Sequence, residues 1–372
     1  MKILHFYKTA FPNSNGGVEK VISEICESGS KHGISFEVLC LTNNKMEKTI
    51  KINNYFLHQE NFNFELFSTP FSLSSIKRFY HLSKKVDIIH YHFPFPFMDL
   101  LHLILNIRKP SIVTYHSDIV KQKKLLLLYY PLMSYFLRSV NVIVATSKNY
   151  LQSSLILNKF KSKVKIIPIG INYSNYPDSS GIIDVYWKKF LNNQRYYLFV
   201  GVLRYYKGLK ILLESIQGLN YPLVILGDGP EWNNLQDFVS LNNIKNIYFV
   251  GFQSDINKIS LIKSCFALVL PSNLRSEAFG ICLLEGAMLG KPLITTEIGT
   301  GTSFININNI TGLVVNPNDC LSLRSALVYL WENPHLADEM GINAKKRYDD
   351  LFTADRMINS YIKLYHNLLS LS

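Results

Sequence analysis

Apolar residues follow two alternating patterns along the chain, short continuous runs and longer segments in which an apolar residue recurs every three or four positions. The runs are typical of buried β-strands, and the longer segments of amphipathic helices. Regular alternation of the two predicts parallel sheets with helices on both faces. Strands are predicted near residues 2–7, 35–41, 86–91, 111–115, 141–145, 164–168, 196–200, 222–226, 246–250, 266–270, 292–296 and 313–315. Helices are predicted near 17–32, 98–108, 120–139, 208–217, 230–241, 255–264, 280–289 and 320–332.

A stretch from 172 to 193 divides this pattern into two halves, and its residues 175–181 have the Asn, Pro, Ser and Gly content of a connector. A chain of 372 residues is also longer than one hydrophobic core usually supports. We therefore expect an α/β protein with two doubly wound, Rossmann-like domains that face each other across a ligand-binding cleft. The expected boundaries are 1–172 for the first domain, 173–352 for the second, and 353–372 for a C-terminal helix that packs back on the first.

The composition, 48% apolar and 18% charged, is that of an ordinary globular protein. The five cysteines form no C-x-x-C pair, which favours reduced thiols in a cytosolic protein. The first residues are predicted to form a strand rather than a signal peptide. The longest nearly apolar stretch, residues 125–137, is too short to span a bilayer.

Excess positive charge is confined to the first half of the sequence. Residues 1–172 contain 22 Lys and Arg against 10 Asp and Glu, whereas residues 173–372 contain 17 of each. A basic half favours an acidic partner, either nucleic acid or an anionic lipid surface. Residues 120–138 are basic at their start and apolar and aromatic afterwards, which favours an interfacial helix on anionic lipid over nucleic-acid binding. A core helix with a solvated first turn would have the same pattern.

The segment from Pro271 to Glu285 has the most informative spacing in the chain. Glu277 and Glu285 lie eight residues apart, and the Phe279-Gly280 step between them opens a helical pattern after an apolar strand. Ligands of parallel sheets bind at the carboxyl ends of strands, and the amides of a helix start bind phosphate. Two separated carboxylates with a phosphate site between them suit an elongated ligand such as a nucleotide sugar. The alternative is a capping glutamate followed by a solvated helix face.

Two further loops follow predicted strands. Arg204 and Lys207 leave one strand end together, where cations would bind a diphosphate and stabilise it as a leaving group. Gly16 and Gly17 follow the first strand, where glycines let the backbone approach a ligand, although the G-x-G-x-x-G motif is absent. Solvated loop cations and a plain tight turn are the respective alternatives.

Three histidines also lie at predicted strand ends in the first half, His90 and His92 at one strand and His116 at the next. A zinc site is disfavoured because no two of them have i,i+4 helical spacing and no cysteine joins them. No D-x-D motif occurs, so a carboxylate-held Mg²⁺ is unsupported as well. We therefore expect no metal, and we single out His116 as the histidine with a functional role because a serine and an aspartate follow it at the strand end.

Taken together, these segments resemble family 4 of the retaining glycosyltransferases, with the two-domain (GT-B type) fold of glycogen synthase and glycogen phosphorylase. The resemblance covers nearly the whole chain. It rests on matches to the family pattern at Gly16-Gly17, Gly201 to Gly208, Gly227-Asp-Gly-Pro230, Pro271-Ser272, Glu277 to Glu285 and Thr311-Gly312. The segments Thr-Tyr-His-Ser-Asp-Ile-Val and Thr-Glu-Ile-Gly-Thr-Gly-Thr-Ser are similar to those of bacterial mannosyltransferases in O-antigen and exopolysaccharide pathways.

The resemblance implies a role for each candidate residue. Glu277 would hold sugar hydroxyls, Glu285 both ribose hydroxyls and Lys207 the diphosphate, and His116 would lie near the reacting sugar. The family loop usually carries an arginine at the position of Val202, and we expect Arg204 to replace it. The remaining donor contacts would be made by Gly16, Gly17, Phe279, Gly280, Ile281 and Cys282, with the base near Gly251 and Phe252.

The implied activity is a retaining transfer of a hexose, with mannose from GDP-mannose as the first choice, to a lipid-linked or polysaccharide acceptor of bacterial surface glycan synthesis. The resemblance implies no cofactor and no metal. We expect the protein at the cytoplasmic face of the cell membrane, with nucleotide sugar, acceptor and anionic lipid as partners and no nucleic acid. Two alternatives remain open, a sugar-nucleotide epimerase of the same fold and a non-catalytic partner that binds sugar nucleotides.

Overall fold

The structure is a computed structural model that describes residues 1–14, 16–43, 48–120, 123–178 and 181–370, without the side chains of Lys123 and Lys124. The chain divides into two compact units. Unit 1 comprises Met1–Gly170 together with Ala354–Ser372, and unit 2 comprises Ile171–Thr353.

Unit 1 contains a mainly parallel sheet and the helices that cover it. Its strands are β1 (Lys2–Phe6), β2 (Ser35–Thr42), β3 (Thr49–Ile52), β4 (Tyr55–Asn61), β5 (Phe64–Leu66), β6 (Thr69–Phe71), β7 (Ile88–Phe93), β8 (Ser111–Tyr115), β9 (Val142–Ala145) and β10 (Val164–Ile166). Its first helices are α1 (Gly17–Ser30), α2 (Leu73–Lys84), α3 (Pro96–Ile104), α4 (Lys123–Ser139), α5 (Lys148–Ser153) and α6 (Leu155–Lys159). The main sheet has the order β10-β9-β8-β7-β1-β2-β4-β3, and β5 and β6 form a separate hairpin. Among the described residues of the main sheet, β3 and β4 form the one antiparallel pair.

Unit 2 repeats this architecture with a wholly parallel sheet of order β13-β12-β11-β14-β15-β16. The strands are β11 (Tyr197–Val200), β12 (Leu223–Leu226), β13 (Ile247–Gly251), β14 (Ala267–Leu270), β15 (Leu293–Thr296) and β16 (Gly312–Val315). The helices are α7 (Gly181–Phe190), α8 (Leu209–Ile216), α9 (Trp232–Leu241), α10 (Asp255–Ser264), α11 (Ile281–Met288), α12 (Gly301–Ile305), α13 (Cys320–Glu332) and α14 (Pro334–Leu351). Strands such as β11, β12 and β14 are buried at every position, as expected for a sheet covered by helices on both faces.

The last helix, α15 (Ala354–Ser370), belongs to unit 1 although the segment before it belongs to unit 2. It packs against α1, and it buries Tyr361 and Tyr365 almost completely. The chain therefore enters unit 2 after residue 170 and returns to unit 1 at residue 354.

In both sheets the strand order reverses in the middle, between β1 and β7 in unit 1 and between β11 and β14 in unit 2. The loops that follow the two strands at such a reversal diverge to opposite faces and leave a crevice at their carboxyl ends. In unit 2 those two loops carry Lys207 and Glu277. In unit 1, the loop after β1 carries Gly16, and β7 carries His92 at its carboxyl end.

The prediction of two doubly wound, Rossmann-like domains is confirmed, and each predicted strand is present within about two residues. Strands β3 to β6 and helix α2 were not predicted from the sequence pattern. The expected connector over 172–193 is wrong in part, because α7 occupies residues 181–190. That helix packs on α10 and buries Trp187, whereas Asn175, Pro177 and Asp178, which suggested a connector, precede it in the sequence.

Candidate functional site

The loops after β11 and β14 are held against each other at the strand reversal of unit 2. The two strands pair in parallel, with Tyr197 beside Ala267, so the loops begin side by side. The amide of Asn273 donates to the carbonyl of Tyr206 at 3.0 Å. Gly208 has φ 70°, and a Cβ there would lie 1.9 Å from the carbonyl oxygen of Pro271. Only glycine permits this close approach of the two loops.

Lys207 and Glu277 form an ion pair between these two loops, Nζ to Oε2, and each residue is only 9% exposed. Burial acts to lower the pKa of Lys207, but the neighbouring Glu277 carboxylate outweighs it and the pKa is raised above its ordinary value. Among the described residues, the buried hydroxyl of Ser272, on the same loop as Glu277, finds no hydrogen-bond partner. The site thus holds a fixed ammonium and its carboxylate, and its loop carries a buried hydroxyl with unused hydrogen-bonding capacity.

Helix α11 begins directly after this pair. Gly280 precedes it in the left-handed region at φ 89°, and no side chain in the described part of the chain caps the first turn. Phe279 is buried, and the next loop is fixed to the segment because Gly301 N donates to Ala278 O at 2.8 Å. Burial raises the pKa of the Cys282 thiol to about 12, so this cysteine is a neutral thiol rather than a nucleophile. The uncapped amides at Ile281 and Cys282 are suited to an anion.

Glu285 lies on α11 in a buried polar cluster that was not predicted. Lys258 Nζ contacts Glu285 Oε1 at 2.8 Å and Asp255 Oδ1 at 2.7 Å, and the hydroxyl of Tyr176 donates to Glu285 Oε1 at 3.0 Å. Burial acts to lower the pKa of Lys258, but Glu285 and Asp255 outweigh it and the pKa is raised. The carboxylate is therefore held in one orientation by a buried cation and a phenol.

The other predicted site residues are placed differently. Arg204 is exposed at the start of the short turn that carries Lys207, and Val202 is 50% exposed. Gly251 ends β13, and the Phe252 side chain that follows is 74% exposed. Gly16, Gly17 and His116 belong to unit 1, Gly16 and Gly17 at the start of α1 and His116 immediately after β8.

His116 takes part in a buried set of histidines. His5 Nδ1 lies 2.8 Å from His92 Nε2, and His92 Nδ1 lies 2.9 Å from His116 Nε2. His90 contacts the hydroxyls of Tyr365 at 2.8 Å and Thr114 at 2.7 Å. Burial lowers the pKa of both His5 and His116 to about 3, so these rings are neutral near pH 7.

Among the residues of these clusters that were missed in the sequence are Lys258, Tyr176 and His5. Asp255 and Lys258 have the spacing of an ordinary surface ion pair on a helix, and only the packing of α10 against α11 brings Lys258 to Glu285. His5 lies in the middle of the first strand, where a single histidine gives no signal of its own. Its position in register with His90 follows from the pairing of β1 with β7.

No helix in the described part of the chain is long and apolar enough to cross a bilayer. Helix α4 exposes Leu127, Leu128 and Tyr135, with exposed fractions of 77%, 81% and 62%. The basic start of the predicted interfacial helix comprises Lys121, Lys123 and Lys124, of which Lys121 lies outside the described residues, as do the side chains of Lys123 and Lys124.

Comparison with known proteins gives matches over nearly the whole chain. The model described as Glycosyltransferase Family 4 matches residues 15–175, and that described as Glycosyl transferases group 1 matches residues 187–347. The D-rhamnosyltransferase WbpZ of Pseudomonas aeruginosa is 47% identical over 95% of this chain and 93% of its own. The O-antigen chain mannosyltransferase C of Escherichia coli is 42% identical over 99% of both chains.

A solved structure shares the fold at low sequence identity. Sucrose-phosphate synthase from Thermosynechococcus elongatus matches with a TM-score of 0.84 and 18% identity over 100% of both chains. The family models and the two relatives confirm the resemblance seen in the sequence motifs. Because the two family models and two relatives above 40% identity agree over almost its entire length, this chain belongs to the glycosyltransferases of family 4.

Proposed function

We propose that the chain is a retaining hexosyltransferase that moves mannose, or a closely related hexose, from a GDP-sugar to a lipid-linked or polysaccharide acceptor. The proposed setting is the synthesis of bacterial O-antigen or a similar surface glycan. The observation that carries the proposal is the buried Lys207–Glu277 ion pair at the strand reversal of unit 2, directly before the uncapped start of α11. A cation, a carboxylate and free amides in one place match a diphosphate linked to a sugar.

In this proposal each group has one role. The Lys207 ammonium neutralises the diphosphate, whose charge grows as the bond to the sugar breaks. Glu277 accepts hydrogen bonds from sugar hydroxyls, and Glu285, oriented by Lys258 and Tyr176, accepts them from the ribose. The amides at the start of α11 bind the donor, and Arg204 adds a second cation near the phosphates. His116 of unit 1 acts on the reacting sugar.

The choice of sugar is supported by the two relatives, one named a mannosyltransferase and the other a D-rhamnosyltransferase. D-Rhamnose is mannose without its 6-hydroxyl group, so the two sugars differ only at the exocyclic C6 carbon. A site that hydrogen-bonds the 6-hydroxyl rejects the deoxy sugar strongly, whereas an apolar one discriminates little. We therefore expect GDP-mannose to be used and GDP-D-rhamnose to be its nearest competitor.

Mass spectrometry of reaction products tests the proposal. The protein is incubated with GDP-mannose, GDP-D-rhamnose or UDP-glucose, each with and without a panel of lipid-linked glycan acceptors. Transfer of mannose from GDP-mannose, with GDP released only when an acceptor is present, would support the proposal. NMR of the product should show that the anomeric configuration of the donor is retained. Conversion of the donor without an acceptor would indicate the epimerase instead. Tight nucleotide binding without turnover of any donor would indicate a non-catalytic partner.

We also propose that turnover needs no divalent cation, because Lys207 supplies the positive charge that a metal ion provides in other phosphate sites. Activity is expected to be unchanged in excess EDTA. The matched control is the same EDTA concentration added together with an excess of Mg²⁺ or Mn²⁺. Loss of turnover on chelation that either ion restores would show that the proposal is wrong.

Membrane association is proposed from charge and from the exposed face of α4. Leu127, Leu128 and Tyr135 are exposed on a helix that follows basic residues, in the half of the sequence that carries the positive charge. Each Lys or Arg near an anionic leaflet contributes about 1 kcal/mol, which falls off within a Debye length. Reversible attachment at the cytoplasmic face of the cell membrane would bring unit 1 to a lipid-linked acceptor.

Flotation with vesicles tests this attachment. Binding to vesicles that contain anionic lipid is expected, with weakening at high salt and after replacement of Lys121, Lys123 and Lys124 by serine. Replacing both Leu127 and Leu128 by serine should weaken binding further, because their apolar area no longer enters the interface. Leu241→Ser, at an exposed leucine of unit 2, is the matched control and should bind normally. Equal binding to neutral and anionic vesicles would contradict the proposal that positive charge attracts the protein to the membrane.

A further inference from the structure

Three histidine rings form a continuous hydrogen-bonded chain through the interior of unit 1. His5 on β1 contacts His92 on β7, and His92 contacts His116 after β8, at 2.8 and 2.9 Å between ring nitrogens. The ring planes of His92 and His116 lie 20° from parallel, with centroids 5.2 Å apart, and those of His5 and His92 lie 21° from parallel at 5.1 Å, so neighbouring rings lie edge to edge as in-plane hydrogen bonds require. The three strands involved are neighbours in the sheet, so the rings are fixed by backbone pairing at each step.

The two ends of this chain differ. His5 and His92 are fully buried, and His5 Nε2 finds no hydrogen-bond partner among the described residues. His116 retains 6% exposure and is therefore the end nearest to solvent. Its Nε2 contacts His92, so Nδ1 is the ring nitrogen of His116 that lies outside the chain.

A metal site is the competing interpretation, because the ligand atoms of His5, His90 and His92 lie within 4.8 Å of one another. A metal needs a bare lone pair from each ring. Both nitrogens of His90 are engaged by the hydroxyls of Tyr365 and Thr114, and both nitrogens of His92 by the other two histidines. A metal would have to break this network, so the hydrogen-bonded chain is the better account of the cluster.

The number of ring protons limits the histidine chain to two hydrogen-bonding arrangements. Each ring is neutral and carries one N–H, because burial lowers the pKa values of all three histidines. Each contact between nitrogens needs one donor and one acceptor. Either every ring is protonated on Nδ1 and donates toward His116, or every ring is protonated on Nε2 and donates toward His5. A change at one end therefore changes the tautomer at the other.

The unpartnered Nε2 of His5 decides between these two hydrogen-bonding arrangements. In the second arrangement a buried N–H points from His5 Nε2 at no acceptor, whereas in the first only a lone pair is unmatched. Buried donors without a partner are rarer in proteins than acceptors with unused capacity, so the first arrangement is favoured. In it, His116 Nε2 accepts from His92 and the proton of His116 lies on Nδ1.

We propose that His5 and His92 are positioning residues that hold His116 in the tautomer protonated on Nδ1, so that His116 donates a hydrogen bond to an oxygen of the reacting sugar or its acceptor. The role at the sugar rests on the proposed function, whereas the tautomer is a property of the protein alone. His5 acts from two rings away and touches no substrate. Its effect passes through the direction of the hydrogen bonds and not through a contact.

Nitrogen-15 NMR of the ligand-free protein, labelled in histidine, tests the tautomer. Two-bond correlations distinguish a protonated ring nitrogen from a bare one, and His116→Gln identifies the His116 signals by their loss. The expected result is a protonated Nδ1 and a bare Nε2 at His116. A proton on Nε2 of His116 in the wild-type protein would overturn the proposal.

Two substitutions at His5 separate hydrogen bonding from packing. His5→Asn keeps an amide N–H close to the position of Nδ1 and should preserve the tautomer at His116. His5→Asp is isosteric with this variant but presents a carboxylate, which only accepts, so His92 should donate to it from Nε2 and the Nε2-protonated form of His116 should become populated. His102→Leu is the matched control, because His102 is a buried histidine of unit 1 that hydrogen-bonds Tyr91 and Ser139 outside the histidine chain. No change in His5→Asp would contradict the proposal, and if that variant does not fold, the wild-type and His5→Asn spectra still decide it.

Kinetics complete the test. In His5→Asp, kcat is expected to fall about tenfold, the rate equivalent of one misdirected hydrogen bond, with little change in the donor KM. His5→Asn and His102→Leu should retain wild-type kcat. Unchanged kcat in His5→Asp would overturn the positioning role. Absence of transfer by the wild-type protein would instead refute the proposed function, while the NMR result would still decide the tautomer.

Discussion

Replacement of Lys207 by methionine is expected to lower kcat by about 10²–10³-fold, the usual loss when one preorganised group that stabilises transition-state charge is removed. The side chain is buried against Glu277, and its raised pKa keeps it protonated. Negative charge builds on the leaving diphosphate as the reaction proceeds, so the lost stabilisation should fall on kcat more than on KM. Steady-state kinetics over a range of donor concentrations measures both.

Two further variants make the Lys207 result specific. Because Lys207→Met leaves Glu277 buried without its cation, the double variant Lys207→Met/Glu277→Gln controls for stability, and thermal melting of both variants reports whether unit 2 is folded. Arg204→Met is the matched change at the exposed neighbouring cation and should cost less. A raised KM with unchanged kcat in Lys207→Met would show that Lys207 only contributes to ground-state binding. A kinetically silent Arg204→Met would show that Arg204 does not replace the arginine absent at Val202.

The second large effect is expected at Lys258, whose loss should destabilise unit 2 more than it alters the chemistry. Lys258→Met removes the buried cation that contacts Glu285 at 2.8 Å, and breaking a buried pair in this way costs about 3–5 kcal/mol. For a unit of this size, that corresponds to a fall of roughly 10 °C in Tm. Calorimetric unfolding measures the change, and titration with GDP should show weaker binding because Glu285 is no longer held as an oriented carboxylate.

The double variant Lys258→Met/Glu285→Gln removes both charges and should recover most of the lost Tm without recovering nucleotide affinity. Lys263→Met, at an exposed lysine on the same helix, is the control and should melt like the wild-type protein. If Lys258→Met melts normally, the Lys258–Glu285 contact contributes nothing to the fold. If GDP binds the Glu285→Gln protein as tightly as wild type, Glu285 is not a ribose ligand.

The fold was predictable because the strands of a sheet covered on both faces are continuous apolar runs, such as residues 266–270 and 222–226. Their helical neighbours have a clear 3.6-residue period. The loop residues Lys207 and Glu277 were predictable for a related reason, since each follows such a run and is itself followed by a glycine within three residues. Strand β5, with its three exposed residues, has no comparable signal, and neither has the antiparallel edge strand β3.

Contacts between distant segments could not be predicted in the same way. Lys258 and Glu285 lie 27 residues apart, and nothing in either helix alone indicates that a lysine is buried there. The histidine chain needs the register of β1, β7 and β8, which a single sequence does not specify. The spacing of His90, His92 and His116 argued against a metal site, but it gave no indication that His5 lies with them.

The placement of α15 has a consequence for the order of folding. His90 and Thr114 hydrogen-bond Tyr365 and Tyr361, so the interior of unit 1 is incomplete without residues 354–370. Those residues are synthesised after the whole of unit 2, which is continuous in sequence. Unit 2 can therefore reach its native state on the ribosome while the sheet of unit 1, made first, still has unpaired polar groups in its interior. The surface that α15 covers stays exposed until residues 354–370 are made, and exposed surface of this kind is what makes folding intermediates prone to aggregation.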